Sequence, residues 1–238
     1  MNKLQKISKK LADKVAGLSF AEPVSYVYNP LEYAFSAHCD YLKKYGCAKK
    51  TTLFLGMNPG PWGMLQTGVP FGQIDFVKNW MLIEGTILKP EKEHAKRLVE
   101  GFDCTRREVS GERFWQWIKD SFGTPDKFFE NFFVSNYCPL GFLEAGGKNR
   151  IPEKLPQSER DELFKYCDES LREVVNYLKS VAVIGIGKFA EKRAKIALKG
   201  LDIPVYTVLH PSPASPAANR GWAPQATAKM KDIGIDWP

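Results

Sequence analysis

Two stretches of the chain concentrate the residue types that chemistry needs. The first is Gly56-Met57-Asn58-Pro59-Gly60-Pro61-Trp62-Gly63-Met64-Leu65-Gln66-Thr67-Gly68-Val69-Pro70-Phe71-Gly72, directly after the apolar run 51–55. Its five glycines and three prolines impose a non-repetitive backbone that can approach a ligand closely. A loop this long inside a compact domain is characteristically functional or disordered. Within it, Asn58 can position a water or donate a hydrogen bond, and Phe71 offers a flat stacking face. The second stretch is His210-Pro211-Ser212-Pro213-Ala214-Ser215-Pro216-Ala217-Ala218-Asn219-Arg220-Gly221-Trp222. It sets an imidazole at the end of another apolar run, 205–209, and three prolines stiffen the residues after it. His38 and His94 have no comparable setting.

Two shorter loops also come after apolar runs. Asn136 opens Asn136-Tyr137-Cys138-Pro139-Leu140, a place where an Asn is ordinarily a cap or turn former. Gly185-Ile186-Gly187-Lys188-Phe189-Ala190 matches G-x-G-x-x-A, the dinucleotide fingerprint. The acidic residue which that fingerprint needs after the next strand is missing, and His210 stands there instead. The glycines therefore read as a tight turn with close strand–helix packing. A dinucleotide-dependent enzyme using Gly185 and Gly187 is the competing reading.

The elements that must hold these loops emerge from periodicity. Leu4, Ile7, Leu11, Val15 and Leu18 recur at helical steps, and Asn29-Pro30 reads as the N-cap and first residue of a helix running to Gly46. Further helices are expected around 114–118, after Thr124-Pro125, from a Ser158/Asp161 capping box to about Leu178, and over 188–199. An amphipathic stretch covers 76–83. Four apolar runs, 51–55, 132–136, 181–184 and 205–209, read as buried strands. Alternating with helices, they predict an α/β fold: three α/β/α layers around a central four-stranded, mainly parallel sheet, in a single domain 1–238 whose N-terminal helical region, 1–48, packs on it. In such sheets ligands bind at the carboxyl ends of the strands, which is where all four loops fall.

Composition narrows the classes. With 238 residues, 44% apolar and 26% charged, the chain can bury a sizeable core and is not a low-complexity or disordered sequence. No uncharged apolar run approaches the ~18–20 residues of a membrane span, and the Lys-rich start lacks the apolar segment of a secretory signal. The expectation is therefore a cytoplasmic protein, nucleoid-associated or nuclear according to the cell type, with no membrane association. Five scattered cysteines (Cys39, Cys47, Cys104, Cys138, Cys167) without a C-x-x-C read as reduced thiols rather than a disulfide, zinc or iron–sulfur framework. The net charge of +7 divides unevenly: nine bases and four acids in residues 1–50, 17 and 19 in 51–186, eight and four in 187–238. If the two ends converge they make a basic face suited to a polyanion. A merely soluble basic surface is the alternative.

The loops at 56–72 and at 210–222 resemble the two signature motifs of the single-strand-selective monofunctional uracil-DNA glycosylases, with Asn136 between them where that family keeps its base-reading Asn. The resemblance runs from about Leu53 to Trp222. It implies a uracil-DNA glycosylase-like fold and a DNA repair enzyme that flips uracil, or a 5-substituted uracil such as 5-hydroxymethyluracil, out of single- or double-stranded DNA. Hydrolysis of the N-glycosidic bond would leave an abasic site, with no cofactor, no metal and no lyase step, and a monomer is the default. By the same resemblance Asn58 would position the attacking water, His210 would face uracil O2, and Asn136 would read the base edge. Phe71 would stack beneath the base, Met57 and Gly60 would shape the floor beside C5, and Gly60 would leave room there. The loop carrying Pro211, Ser212, Pro213, Ala214 and Arg220 would enter the duplex. Vertebrate relatives carry an Arg where this chain has Ala214, so filling the gap left by the flipped nucleotide would fall to the prolines or Arg220. The rival reading is a non-catalytic nucleic-acid-binding module on the same fold. A two-carboxylate glycoside hydrolase is disfavoured, because no paired acids occupy the loops.

Overall fold

The computed structural model describes residues 1–47 and 49–238. Ala48, the last residue of the N-terminal region delimited above, lies outside the described residues. In chain order the elements are α1 (Lys3–Ala16), β1 (Val24–Tyr28), α2 (Pro30–Tyr33), α3 (Phe35–Tyr45), β2 (Thr52–Gly56), α4 (Met64–Thr67), α5 (Val109–Phe122), α6 (Pro125–Asn131), β3 (Phe132–Asn136), β4 (Gly141–Glu144), β5 (Asn149–Arg150), α7 (Gln157–Leu178), β6 (Ala182–Ile186), α8 (Lys188–Ala197), β7 (Val205–Val208) and α9 (Trp222–Asp232).

The central sheet is four-stranded and wholly parallel, in the order β3-β2-β6-β7. Every residue of β2 and of β6 is buried, as expected for strands covered on both faces. Alternation along β2 and β3 separates two cores. Phe54 packs against Phe114 and Trp117 of α5, Phe128 of α6, Phe132 and the C-terminal Trp237. On the opposite face, Phe133 stacks on Tyr41 of α3 at 5.3 Å, and the Tyr41 hydroxyl donates to the Val134 carbonyl at 2.9 Å. Such aromatic pairs contribute about 0.5–1.5 kcal/mol each beyond area burial, so the sheet is clamped from both sides.

Several expectations change. A second, antiparallel sheet, β1-β4-β5, is present that the apolar runs do not mark. Asn29 does cap, accepting from the Leu31 N–H, but the helix it opens breaks at Ala34 (φ −109°) and resumes as α3. No capping box forms at Ser158: α7 starts at Gln157 behind Pro156, so Ser158 already lies inside the first turn. The amphipathic stretch at 76–83 winds as a single π-turn, Phe76–Trp80. Gly185 and Gly187 are packing residues. A Cβ at Gly185 would lie 2.3 Å from the Glu191 backbone nitrogen, and Gly187 adopts φ +89° under His210, 3.2 Å from its Cβ. The five cysteines are free.

Part of the base at the two ends is engaged in local pairs. Lys10 and Lys14 bridge Glu169 and Glu173 of α7, Lys188 and Lys195 bridge Glu191, and Lys229 bridges Asp232. α1 and α8 both pack on α7, so parts of the two basic segments meet there, whereas α9 packs on α5. Lys3, Lys6, Lys192 and Lys199, by contrast, form no ion pair among the described residues, so unpaired base remains at both ends.

Candidate active site

The carboxyl ends of the parallel strands open into one cavity of about 260 Å³. It is lined by Met57, Asn58, Gly60, Phe71, Asn136, His210 and Ser212 among the residues expected from sequence. Its volume lies just below the roughly 300–1,000 Å³ of pockets for drug-sized ligands, which suits a single heterocycle.

β2 and β3 deliver the two amides side by side. Leu55 pairs with Ser135 and Gly56 with Asn136. The ladder continues past the strand ends, the Tyr137 N–H donating to Gly56 O and the Cys138 N–H to Met57 O, both at 2.9 Å. Gly56 must be glycine, because a Cβ there would fall 2.2 Å from Asn136 Oδ1 and 2.8 Å from the Phe71 ring. Asn58 Nδ2 donates to the Leu140 carbonyl at 3.1 Å. That bond orients the amide and leaves Oδ1, an acceptor, for the cavity. Asn136 Nδ2 sits 3.2 Å from Met64 Sδ, a weak acceptor that a ligand carbonyl would readily replace.

Phe71 is held in the left-handed region, φ +54°, an uncommon conformation for an aromatic residue. Its carbonyl accepts from Trp115 Nε1 at 3.1 Å, and its ring stacks on Phe114 at 4.8 Å. Gly111 permits this, since a Cβ there would lie 2.1 Å from the Phe71 carbonyl oxygen. The Phe71 and His210 rings are 6.1 Å apart, tilted by 42°.

His210 has one assignable tautomer. Its Nδ1 accepts from the Ser212 N–H at 3.1 Å, so in the neutral ring the proton is on Nε2. Desolvation pushes its pKa down to about 4, which keeps the ring neutral at physiological pH. The loop after it is braced rather than loose. Trp222 Nε1 donates to Leu209 O at 2.5 Å across its base, and Arg113 of α5 donates to Pro211 O at 3.1 Å and to Asn219 Oδ1 at 2.9 Å. Pro211 is buried in this brace, whereas Pro213, Ala214 and Arg220 are exposed at the tip.

Four lining residues lie outside the loops singled out from sequence: Glu108, Ser110, Asn149 and Ile151. Glu108 matters most. Its Oε2 lies 2.5 Å from where a Gly60 Cβ would stand, so the side chain absent at Gly60 makes room for this carboxyl rather than leaving an empty space. Burial raises the Glu108 pKa, opposed by the backbone N–H groups of Ser110 and Trp62. An acid just before a helix reads as an ordinary N-terminal residue, and nothing in its spacing marks it as facing a loop more than thirty residues upstream. Among the described residues, no group of three or more His, Cys, Asp or Glu side chains is arranged to hold a metal ion.

Known proteins share this arrangement of chain. Residues 43–231 match the family model described as Uracil DNA glycosylase superfamily. The chain is 45% identical over 228 residues to the single-strand selective monofunctional uracil-DNA glycosylase of Rattus norvegicus, covering 95% of this chain and 82% of that protein. It is 44% identical to the counterpart from Bos taurus, over 95% of this chain and 84% of that protein. The crystal structure of wild-type Pedobacter heparinus SMUG2 superposes with a TM-score of 0.65 at 20% identity, covering 95% of this chain and 97% of that one, a likeness of fold.

Proposed function

From the premise that this chain belongs to the uracil DNA glycosylase superfamily, we propose that its cavity receives a uracil extruded from DNA and hydrolyses the N-glycosidic bond. The protein is a monofunctional uracil-DNA glycosylase of base excision repair. The observation that carries the assignment of the site is the convergence of Asn58, Phe71, Asn136 and His210, from three separate stretches of chain, on one base-sized cavity.

Each group has a task that its surroundings suit. Phe71, backed by Phe114, gives the base a rigid face. Asn136 presents its amide to the base edge, carbonyl to N3–H and NH2 to O4. Cytosine offers the reverse pattern, and each mispaired buried group costs about 1–3 kcal/mol. Uracil departs as an anion while the sugar becomes oxocarbenium-like. A donor aimed at O2 therefore acts where charge develops, and such a preorganised donor is worth about 3–4 kcal/mol in other enzymes. His210 supplies it as Nε2–H, its tautomer set by Ser212. Asn58 Oδ1 orients a water toward the anomeric carbon. An amide is no base, so attack comes after substantial bond breaking and turnover is slower than a carboxylate would allow.

The DNA partner is uracil-bearing DNA, with the single strand favoured because exposed Ala214 is too small to fill the gap in a duplex. A 5-hydroxymethyl or 5-formyl group would meet the Glu108 carboxyl beside Gly60 rather than open space, and excision of those bases is the part of this reading that the carboxyl decides. The test is release of free base from oligonucleotides holding uracil, 5-hydroxymethyluracil or thymine, single-stranded and paired. Free uracil with an intact abasic strand is expected. DNA binding without any base release would establish the binding-module reading instead.

A further inference from the structure

Beside the cavity, Trp62 gathers two cations. The Arg97 and Arg106 guanidinium carbons lie 5.0 and 5.4 Å from the centroid of its ring. Trp62 stands between Pro61 and Gly63, both of which line the cavity, so this cluster is at the rim of the site. Two like charges at one ring repel each other, and the electron-rich face returns only about 0.5–1 kcal/mol for each at an exposed position. Neither arginine forms an ion pair among the described residues. Of the acids nearby in sequence, Glu93 accepts from the Val99 N–H and Glu112 is held by Arg107, while Glu100 and Asp103 form no ion pair with either arginine among the described residues. Arg97 is also anchored, donating Nε to Gly147 O at 2.9 Å and Nη1 to Lys96 O at 3.2 Å.

We propose that Trp62, Arg97 and Arg106 form a phosphodiester clamp that grips the DNA strand next to the extruded nucleotide. The inference rests on the glycosylase reading for the identity of the polymer, and on the Arg–Trp–Arg geometry for the site. Guanidinium groups bind phosphate oxygens through paired N–H donors. Prearranged by the indole, they hold the strand where the base must swing inward. A clamp that touches only one backbone works on single strands without help from a wedge, which suits a chain whose tip residue is Ala214.

The test uses the full-length protein and a short, labelled all-thymine single strand, with binding monitored by anisotropy across a salt series. Each single-strand phosphate contact adds about 0.7 to the slope of log affinity against log salt. Arg97→Gln with Arg106→Gln should therefore lower the slope by about 1.4 and weaken low-salt binding by roughly tenfold or more. Arg106→Gln alone, at an exposed position that cannot compromise folding, should lower the slope by about 0.7. Trp62→Leu keeps both charges, so it should preserve the slope while weakening affinity a few-fold. The pair Lys49→Gln and Lys127→Gln, at the opposite end of the sheet, should leave the slope near that of the wild type. A wild-type slope in the Arg106 variant, or an equal loss in the lysine pair, would overturn the clamp. Because the strand contains no uracil, that outcome leaves the glycosylase reading untouched, which stands or falls on base release.

Discussion

The two side chains proposed to carry the chemistry, Asn58 and His210, each have a backbone group that fixes their orientation. The Ser212 N–H settles the His210 tautomer, and the Leu140 carbonyl settles which end of the Asn58 amide faces the cavity. Nitrogen-15 NMR of the imidazole should show an Nε2–H neutral ring at pH 7 that titrates only near pH 4. A ring titrating near 6.5 would mean that the histidine is solvated and the cavity open. Glu108 belongs to the same scale. Glu108→Gln keeps the shape but removes the ionisable proton, so base release should persist with an altered acid limb of the pH–rate profile. Glu108→Ala frees the space above Gly60 and should raise KM more than it lowers kcat. Asn58, Phe71 and His210 were legible because they sit in stretches too rich in Gly and Pro to be repetitive elements. Glu108 was not, because its role depends on a contact made across the fold.

The elements act as levers on these residues. Tyr137, the neighbour of Asn136, donates its hydroxyl to Asp168 of α7 at 2.6 Å, and Arg193 of α8 binds Asp168 at 2.6 Å and the Tyr137 hydroxyl at 3.0 Å. This network ties the end of β3 to two helices. Removing Asp168 leaves a partly buried guanidinium unpaired, so Asp168→Ala should cost about 3–5 kcal/mol if fully buried and less at this half-buried site, read as a lower denaturation midpoint. Uracil-over-cytosine discrimination should also fall in the folded variant, whereas a purely structural network would lower stability alone. Likewise Arg113→Ala should loosen the loop after His210 and slow excision from duplex more than from single strands, and equal slowing on both would contradict a wedge role. Periodicity revealed the four parallel strands because each is a continuous apolar run. It did not reveal β1, β4 and β5, which are not continuous apolar runs: β1 mixes Ser25 and tyrosines and pairs with β4 across more than a hundred residues, and β5 is the two polar residues Asn149–Arg150. Nor did it reveal α9, whose buried stripe is only Trp222, Ala226 and Met230.

At the scale of the whole molecule, charge and protonation set the working range. His38 is buried and His210 half-buried, and desolvation lowers both pKa values to about 4 against an ordinary 6.5. Between those values the unfolded chain takes up protons that the folded one refuses, so stability is complete above about pH 6.5 and declines as pH falls toward 4. The melting temperature should drop across that interval, and His38→Gln should flatten the drop. A constant melting temperature from pH 7 to pH 4 would show that the two rings are hydrated. The segmental charge excess was readable from composition, but which bases remain unpaired was not, because pairing with α7 acids is decided by how α1 docks. The central claim is that one cavity, built by distant segments, breaks the bond to an extruded uracil. Single-turnover cleavage of a uracil-bearing single strand, measured beside binding, tests it most directly in Asn58→Ala and His210→Ala. Near wild-type affinity is expected, with rates lowered by about tenfold or more in each. Unchanged cleavage in both variants would contradict it.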